Sequence, residues 1–207
     1  NKERQFNLIC ASSKFSFFIM YVLAYPLLIN LDYILKLWLG IYPDHTVSLC
    51  GIIIIGALID CLSGPLWVTI FATGKIKTYQ VVISSILLLN VPIVYLGGKM
   101  GMTPECMFLT RTIIYLFAFL TRVFFVKKLA SIDIVGYFRR VIVPIILVVC
   151  ITLIPILIFQ LGIIPYADKF RVLFLETVAF GAWGAVSIFF LGLNKKEKTQ
   201  VVALVTE

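Results

Sequence analysis

The chain has 207 residues, of which 61% are hydrophobic and 14% charged, and a formal net charge of +8. A soluble domain carries about a quarter charged residues, so this composition, with a mean hydropathy of +1.07, excludes a water-soluble globule and specifies an integral membrane protein. The basic residues fall in short gaps between apolar runs, as the positive-inside rule expects, and not on one soluble face, which excludes nucleic acid as a partner.

The chain opens on Asn1 with a polar, charged stretch, residues 1–14, expected to be a cytoplasmic segment of a protein that begins further upstream. Six apolar runs then reach the length needed to cross about 30 Å of hydrocarbon: residues 15–31, 47–72, 81–96, 106–126, 141–161 and 172–193. The fold class they predict is all-α, a polytopic bundle of six transmembrane helices. Between the first two runs, "YILKLWLGIYP" is amphipathic and predicts an interfacial segment anchored by Tyr33, Trp38 and Tyr42.

The second run holds Asp60 near its middle. An ionised Asp there costs roughly 2.5–3.5 kcal/mol on insertion scales. Helical spacing groups it with Gly56, Ser63, Gly64 and Trp67, a small polar stripe expected to face a cavity or the bundle interior. Two roles are open: a proton or cation coupling site, or a structural partner for a cation, with Arg111 the expected one. Pro65 predicts a kink one turn away. In the third run Asn90 and Pro92 predict either a discontinuity or a hydrogen bond to a neighbouring helix.

The fourth run holds Arg111 and Arg122. Their spacing sets them about 20° apart on one helix face, with Tyr115 and Ala118 between them. The functional expectation is a basic stripe in which Arg111, Arg122 and Tyr115 bind an anionic substrate at two depths. The structural alternative has both arginines snorkelling to headgroups. The loop "KKLASIDIVGYFRR" predicts an interfacial helix against anionic lipid, a second membrane partner. In the last run Glu176 is expected to pair with Lys169 or Arg171, "AFGAWGA" to form a packing surface of small residues, and the tail 194–207 to be a solvated cytoplasmic end.

Counting Lys and Arg in the gaps assigns twelve to one side and four to the other, with Arg111 and Arg122 inside a helix. The bias predicts that both ends of the chain are cytoplasmic. The five cysteines have no metal-ligand spacing, no phosphate loop or nucleophile elbow occurs, and His45 stands alone in a loop. No enzymatic activity, cofactor or bound metal is expected. A Cys50–Cys106 bridge at the outer helix ends is a minor alternative to free thiols.

The stretches "ILKLWLGIYPDHT" (34–46), "FATGKIKTYQ" (71–80) and "LLLNVPIVYL" (87–96) together resemble Wzx-type O-antigen flippases. These belong to the polysaccharide transporter family, within the superfamily (MOP) that also holds the multidrug and toxin extruders (MATE) and the lipid II flippase. The resemblance covers about residues 15–129, four helices similar to the family's C-terminal polysaccharide-synthesis region. Residues 130–193 match only in kind, as two further spans. It implies that this chain is the C-terminal part of a two-lobed transporter whose N-terminal lobe is a partner missing here. It further implies a bacterial cytoplasmic membrane and translocation of a polyprenyl-pyrophosphate-linked oligosaccharide for lipopolysaccharide, O-antigen or capsular polysaccharide synthesis. The extra pair of helices resembles the pair that forms a lipid-tail groove in the lipid II flippase. Under that reading Asp60 would couple transport to H⁺ or Na⁺. The alternatives are a cation-coupled exporter of small molecules from the same superfamily, a membrane-embedded glycan polymerase or acyltransferase, or a packing module without transport of its own.

Overall fold

Backbone polar groups in hydrocarbon must be satisfied within their own segment, so apolar runs of this length fold as helices. The computed structural model describes residues 2–130, 132–160, 178–179, 181–193 and 197–198, and no strand occurs among them. The helices are α1 (Lys2–Ile29), α2 (Leu31–Leu39), α3 (Thr46–Cys61), α4 (Gly64–Ala72), α5 (Lys77–Leu88), α6 (Asn90–Lys99), α7 (Pro104–Ala130), α8 (Ile134–Tyr137), α9 (Val143–Gln160) and α10 (Gly181–Gly192). One π-helical turn, Phe138–Ile142, joins α8 to α9, and another, Ile188–Gly192, ends α10.

Among the described residues, five stretches are long and apolar enough to cross a membrane: Lys2–Ile29, Thr46–Ala72, Lys77–Lys99, Pro104–Ala130 and Ile134–Ile154. The protein is therefore a membrane-embedded, multi-pass helical bundle. Of the sixth expected run, residues 172–177 and 180 lie outside the described residues, Glu176 among them; its described part is the shorter helix α10.

Several boundaries differ from the sequence expectation. The stretch 1–14 is helical from Lys2 and buries Ile9, Cys10, Ser13 and Lys14, so α1 packs over most of its length. The second span is interrupted at Leu62–Ser63, just before Pro65, which supplies no N–H to the preceding turn. The third is interrupted at Leu89, next to Asn90 and Pro92. The predicted interfacial loop helix merges instead with the fifth span, because the Asp133 carboxylate accepts from the backbone N–H groups of Val135 and Gly136 (both 3.0 Å) and starts the helix there.

One span, α5–α6, separates α3–α4 from α7, so these two run parallel. Contacts pair His45 with Glu105, Gly56 with Thr112 and Asp60 with Arg122, and the α3–α7 seam is the most extensive among the described helices. Elsewhere, Phe17, Tyr21 and Tyr25 of α1 stack at 5.7 and 5.6 Å. The Tyr21 hydroxyl lies 2.5 Å from Thr152 Oγ1, and Tyr25 donates to the Thr152 carbonyl at 2.5 Å. A buried hydroxyl left without such a partner costs about 1–3 kcal/mol, so this cluster sets the register of α1 against α9. Large apolar side chains such as Ile19, Leu23, Val91 and Phe117 stay exposed on the outside of the bundle, as a lipid-facing surface requires.

The helix α2 is amphipathic as expected, burying Leu31 and Leu35 and exposing Trp38. Asp32 accepts from Lys36 Nζ at 2.6 Å and from the Tyr42 hydroxyl. These two hydrogen bonds, the Lys36 one foremost, hold the Asp32 carboxyl below its ordinary value. All five cysteines are free, so the Cys50–Cys106 bridge does not form. Among the described residues, no atom lies within 4 Å of a Cβ placed at Gly181 or Gly184 on α10, whereas Gly192 sits against the Phe18 ring, where a Cβ would stand 2.6 Å from it.

Candidate functional site

Because α3 carries Gly56 and Ala57 where α7 carries Phe108, Arg111, Thr112 and Tyr115, the parallel seam does not close completely. A cavity of about 180 Å³ remains, lined by these residues with Ile52, Ile53 and Asp60. At Gly56 the helices come so near that a Cβ would lie 3.2 Å from the Thr112 hydroxyl. The small side chain thus permits close approach on one side and leaves the space on the other.

Asp60 faces this cavity with 52% of its side chain exposed, while its Oδ1 accepts from Arg122 Nη1 at 3.2 Å. Arg122 is only 12% exposed and also donates from Nε to the Tyr79 hydroxyl at 3.4 Å. One guanidinium thereby links α3, α7 and α5. This corrects two expectations. Asp60 pairs with Arg122 and not with Arg111, because the parallel register sets Arg122 beside it. Arg122 also points inward to Asp60 and Tyr79 instead of snorkelling. Of the stripe expected with Asp60, Gly56 lines the cavity, whereas Ser63, Gly64 and Trp67 are not among its lining residues: Ser63 is buried and Trp67 packs edge-on against Phe71.

Arg111 takes a different course. Its Nε and Nη2 both donate to the Tyr115 hydroxyl, at 3.0 and 2.8 Å, and the guanidinium lies 5.2 Å from the centre of the Tyr115 ring. Among the described residues no carboxylate is paired with it. The cavity therefore contains one cation that is oriented but not neutralised, and one carboxylate whose charge is already balanced. An arrangement of this kind attracts an anionic group, which a planar guanidinium binds with two parallel hydrogen bonds.

The structure thus brings Asp60, Arg111 and Tyr115 to one cavity and sets Arg122 behind Asp60. Sequence reasoning missed Thr112 and Tyr79. Neither carries a signal of its own, since a Thr in an apolar helix and a Tyr near a helix start are ordinary. It also missed the ion pair between Lys14 and Glu197, 2.5 Å apart, with Lys14 only 1% exposed and also donating to the Gly192 carbonyl at 3.4 Å. Lys14 had counted as a cytoplasmic charge, and Glu197 belongs to the tail expected to be solvated. Among the described residues no cluster of His, Cys, Asp and Glu suits a metal ion. Comparison of the chain with protein-family models, with curated proteins and with solved structures finds no match.

Proposed function

We propose that the chain works as the C-terminal portion of a flippase that moves a polyprenyl-pyrophosphate-linked oligosaccharide across the bacterial cytoplasmic membrane, with both ends of this chain in the cytoplasm. The observation that carries the reading is Arg111, an intramembrane guanidinium with no carboxylate partner among the described residues, held by Tyr115 beside an open cavity. An intramembrane Arg is costly and calls for an anionic partner, and a pyrophosphate would supply one. The motif resemblance in residues 34–46, 71–80 and 87–96 supports the same class of cargo. An apolar groove of about 650 Å³ between α1 and α10, lined by Phe18, Val22, Val186 and Phe189 among others, suits a long hydrocarbon chain.

In this reading Arg111 holds the pyrophosphate, Tyr115 orients the guanidinium before the cargo arrives, and the Asp60–Arg122 pair keeps the helices in register. The test is export by the full-length protein in cells that lack their own copy. Arg111→Ala is expected to abolish surface glycan at normal protein level, and Arg111→Lys to retain part of it. Wild-type export by Arg111→Ala would overturn the assignment.

The half-exposed Asp60 favours a second reading, a cation-coupled exporter of small molecules. Under it Asp60→Asn abolishes gradient-driven export and Arg111→Ala does not.

A further inference from the structure

Where α1 and the fifth span begin, the fold orients a second guanidinium. Phe6 of α1 packs beside Gly136, where a Cβ would lie 3.2 Å from its Cζ, and the Arg140 guanidinium lies over the same ring, 5.2 Å from its centre. Arg140 Nη1 also donates to Asn7 Oδ1 at 2.9 Å. Both supports are neutral, and among the described residues no carboxylate is paired with Arg140. Of the acids near this end, Asp133 accepts from the Val135 and Gly136 N–H groups, and Glu3 makes none of the ion pairs among the described residues. Arg140 belongs to the π-helical turn Phe138–Ile142, which buries Val141 and leaves Arg139 and Arg140 exposed. Further into the span Val143 and Leu147 are exposed as well. Their spacing continues the outward face of Arg140 toward the hydrocarbon. Lys127 and Lys128, also exposed, end α7, which packs against α8 at this same end.

We propose that Arg140, supported by Asn7 and Phe6, binds the phosphate of an anionic phospholipid whose acyl chain lies along Val143 and Leu147. The site is separate from the α3–α7 cavity and does not depend on the flippase reading. A guanidinium with one face on a ring and one N–H fixed by an amide is held in place without being neutralised. Its remaining N–H groups suit a phosphate, which accepts two parallel hydrogen bonds from the planar fork. The uncompensated charge selects a headgroup of net negative charge over a zwitterionic one, because the latter brings its own cation. The apolar track selects an amphiphile over a free anion, because phosphate alone leaves Val143 and Leu147 uncovered. Arg139, Lys127 and Lys128 draw the anionic leaflet toward this end without orienting any one lipid.

The test measures lipid binding and not transport. The full-length protein is purified in detergent, and native mass spectrometry counts the phosphatidylglycerol molecules retained as the lipid is titrated. Arg140→Gln should weaken the tightest site about tenfold, the loss expected for a charge-assisted contact. Arg140→Lys should weaken it less, since the charge stays and the fork goes. Asn7→Ala keeps the charge and removes a support, and should weaken it severalfold. Arg139→Gln and Lys128→Gln should leave it close to wild type. Phosphatidylcholine of the same chain length should bind this site severalfold more weakly, and Leu147→Ser should weaken long-chain phosphatidylglycerol but not its dihexanoyl form. Thermal unfolding without added lipid checks that each variant is folded; should Arg140→Gln melt early, Arg140→Lys and Asn7→Ala decide. Equal losses at Arg140 and Lys128 would reduce the site to diffuse charge and overturn it. Equal binding of phosphatidylcholine, or displacement of the lipid by millimolar inorganic phosphate, would overturn it too.

Discussion

Asp60 Oδ1 and Arg122 Nη1 stand 3.2 Å apart across the seam between two parallel helices, with Tyr79 bonded to the far side of the same guanidinium. This pair answers the problem posed by a carboxylate in mid-helix: its charge is balanced by a cation that is itself largely buried. Asp60→Asn is expected to lower stability by about 1–2 kcal/mol, less than the cost of breaking a fully buried pair, because half of Asp60 is exposed. The double variant Asp60→Asn, Arg122→Gln should recover most of that loss. Thermal unfolding in detergent checks both. A double variant no more stable than the sum of the singles would show that the two residues are not coupled.

Tyr115 holds Arg111 through two hydrogen bonds to its hydroxyl. Tyr115→Phe keeps the ring and removes the acceptor. Under the proposed function, surface glycan export should fall severalfold while the midpoint of thermal unfolding moves little, because the guanidinium loses orientation and not charge. Unchanged export would mean that Tyr115 does not position Arg111 for cargo.

Lys14 and Glu197 form the most buried ion pair among those described. Glu197→Ala should destabilise the bundle on the order of 3–5 kcal/mol by leaving an ammonium unpaired in the interior. Adding Lys14→Met should restore much of it, since the replacement side chain is apolar and of similar length. The melting temperatures of the wild type and the two variants decide this.

The Asp32 carboxyl is held below its ordinary value of 3.8 by hydrogen bonds from Lys36 and Tyr42. A depressed value means that the tie stabilises α2 fully above the unfolded-state value and is lost as pH falls through the folded-state one. Carboxyl carbon chemical shifts should titrate Asp32 with a midpoint under 3.8. In Tyr42→Phe the midpoint should move back toward it; an identical midpoint would remove Tyr42 from the tie.

Orientation is tested by labelling single cysteines from outside the cell. Positions 44 and 99 should react, and positions 75 and 128 should not, because twelve of the basic residues in the gaps fall on the side of Lys75 and Lys128. Reaction at 75 alone would reverse the topology.

The sequence by itself determined the helical, multi-pass class, since apolar length and backbone hydrogen bonding leave no other structure for these runs. It also pointed to irregularities at Pro65 and Pro92, each of which removes a backbone donor, while leaving open for Asn90 and Pro92 a hydrogen bond to a neighbouring helix instead. Asp60, Arg111 and Arg122 were legible as out of place in hydrocarbon, with Tyr115 on the arginine face. What periodicity could not supply was the register between helices. The angular spacing on α7 set Arg111 and Arg122 on one face, and the expected partner for Asp60 was Arg111. The offset of α3 against α7 decided for Arg122 and left Arg111 without an acid among the described residues. The same holds for Lys14 and Glu197 and for His45 and Glu105. Each member is an ordinary charged or polar residue near a loop or terminus, and only the folded chain brings together groups so far apart in sequence. Local pattern reports how one helix divides its faces, whereas the choice of partner depends on how neighbouring helices slide and rotate against each other. Small residues such as Gly56, and packed ones such as Ala118 and Phe18, settle that through contact.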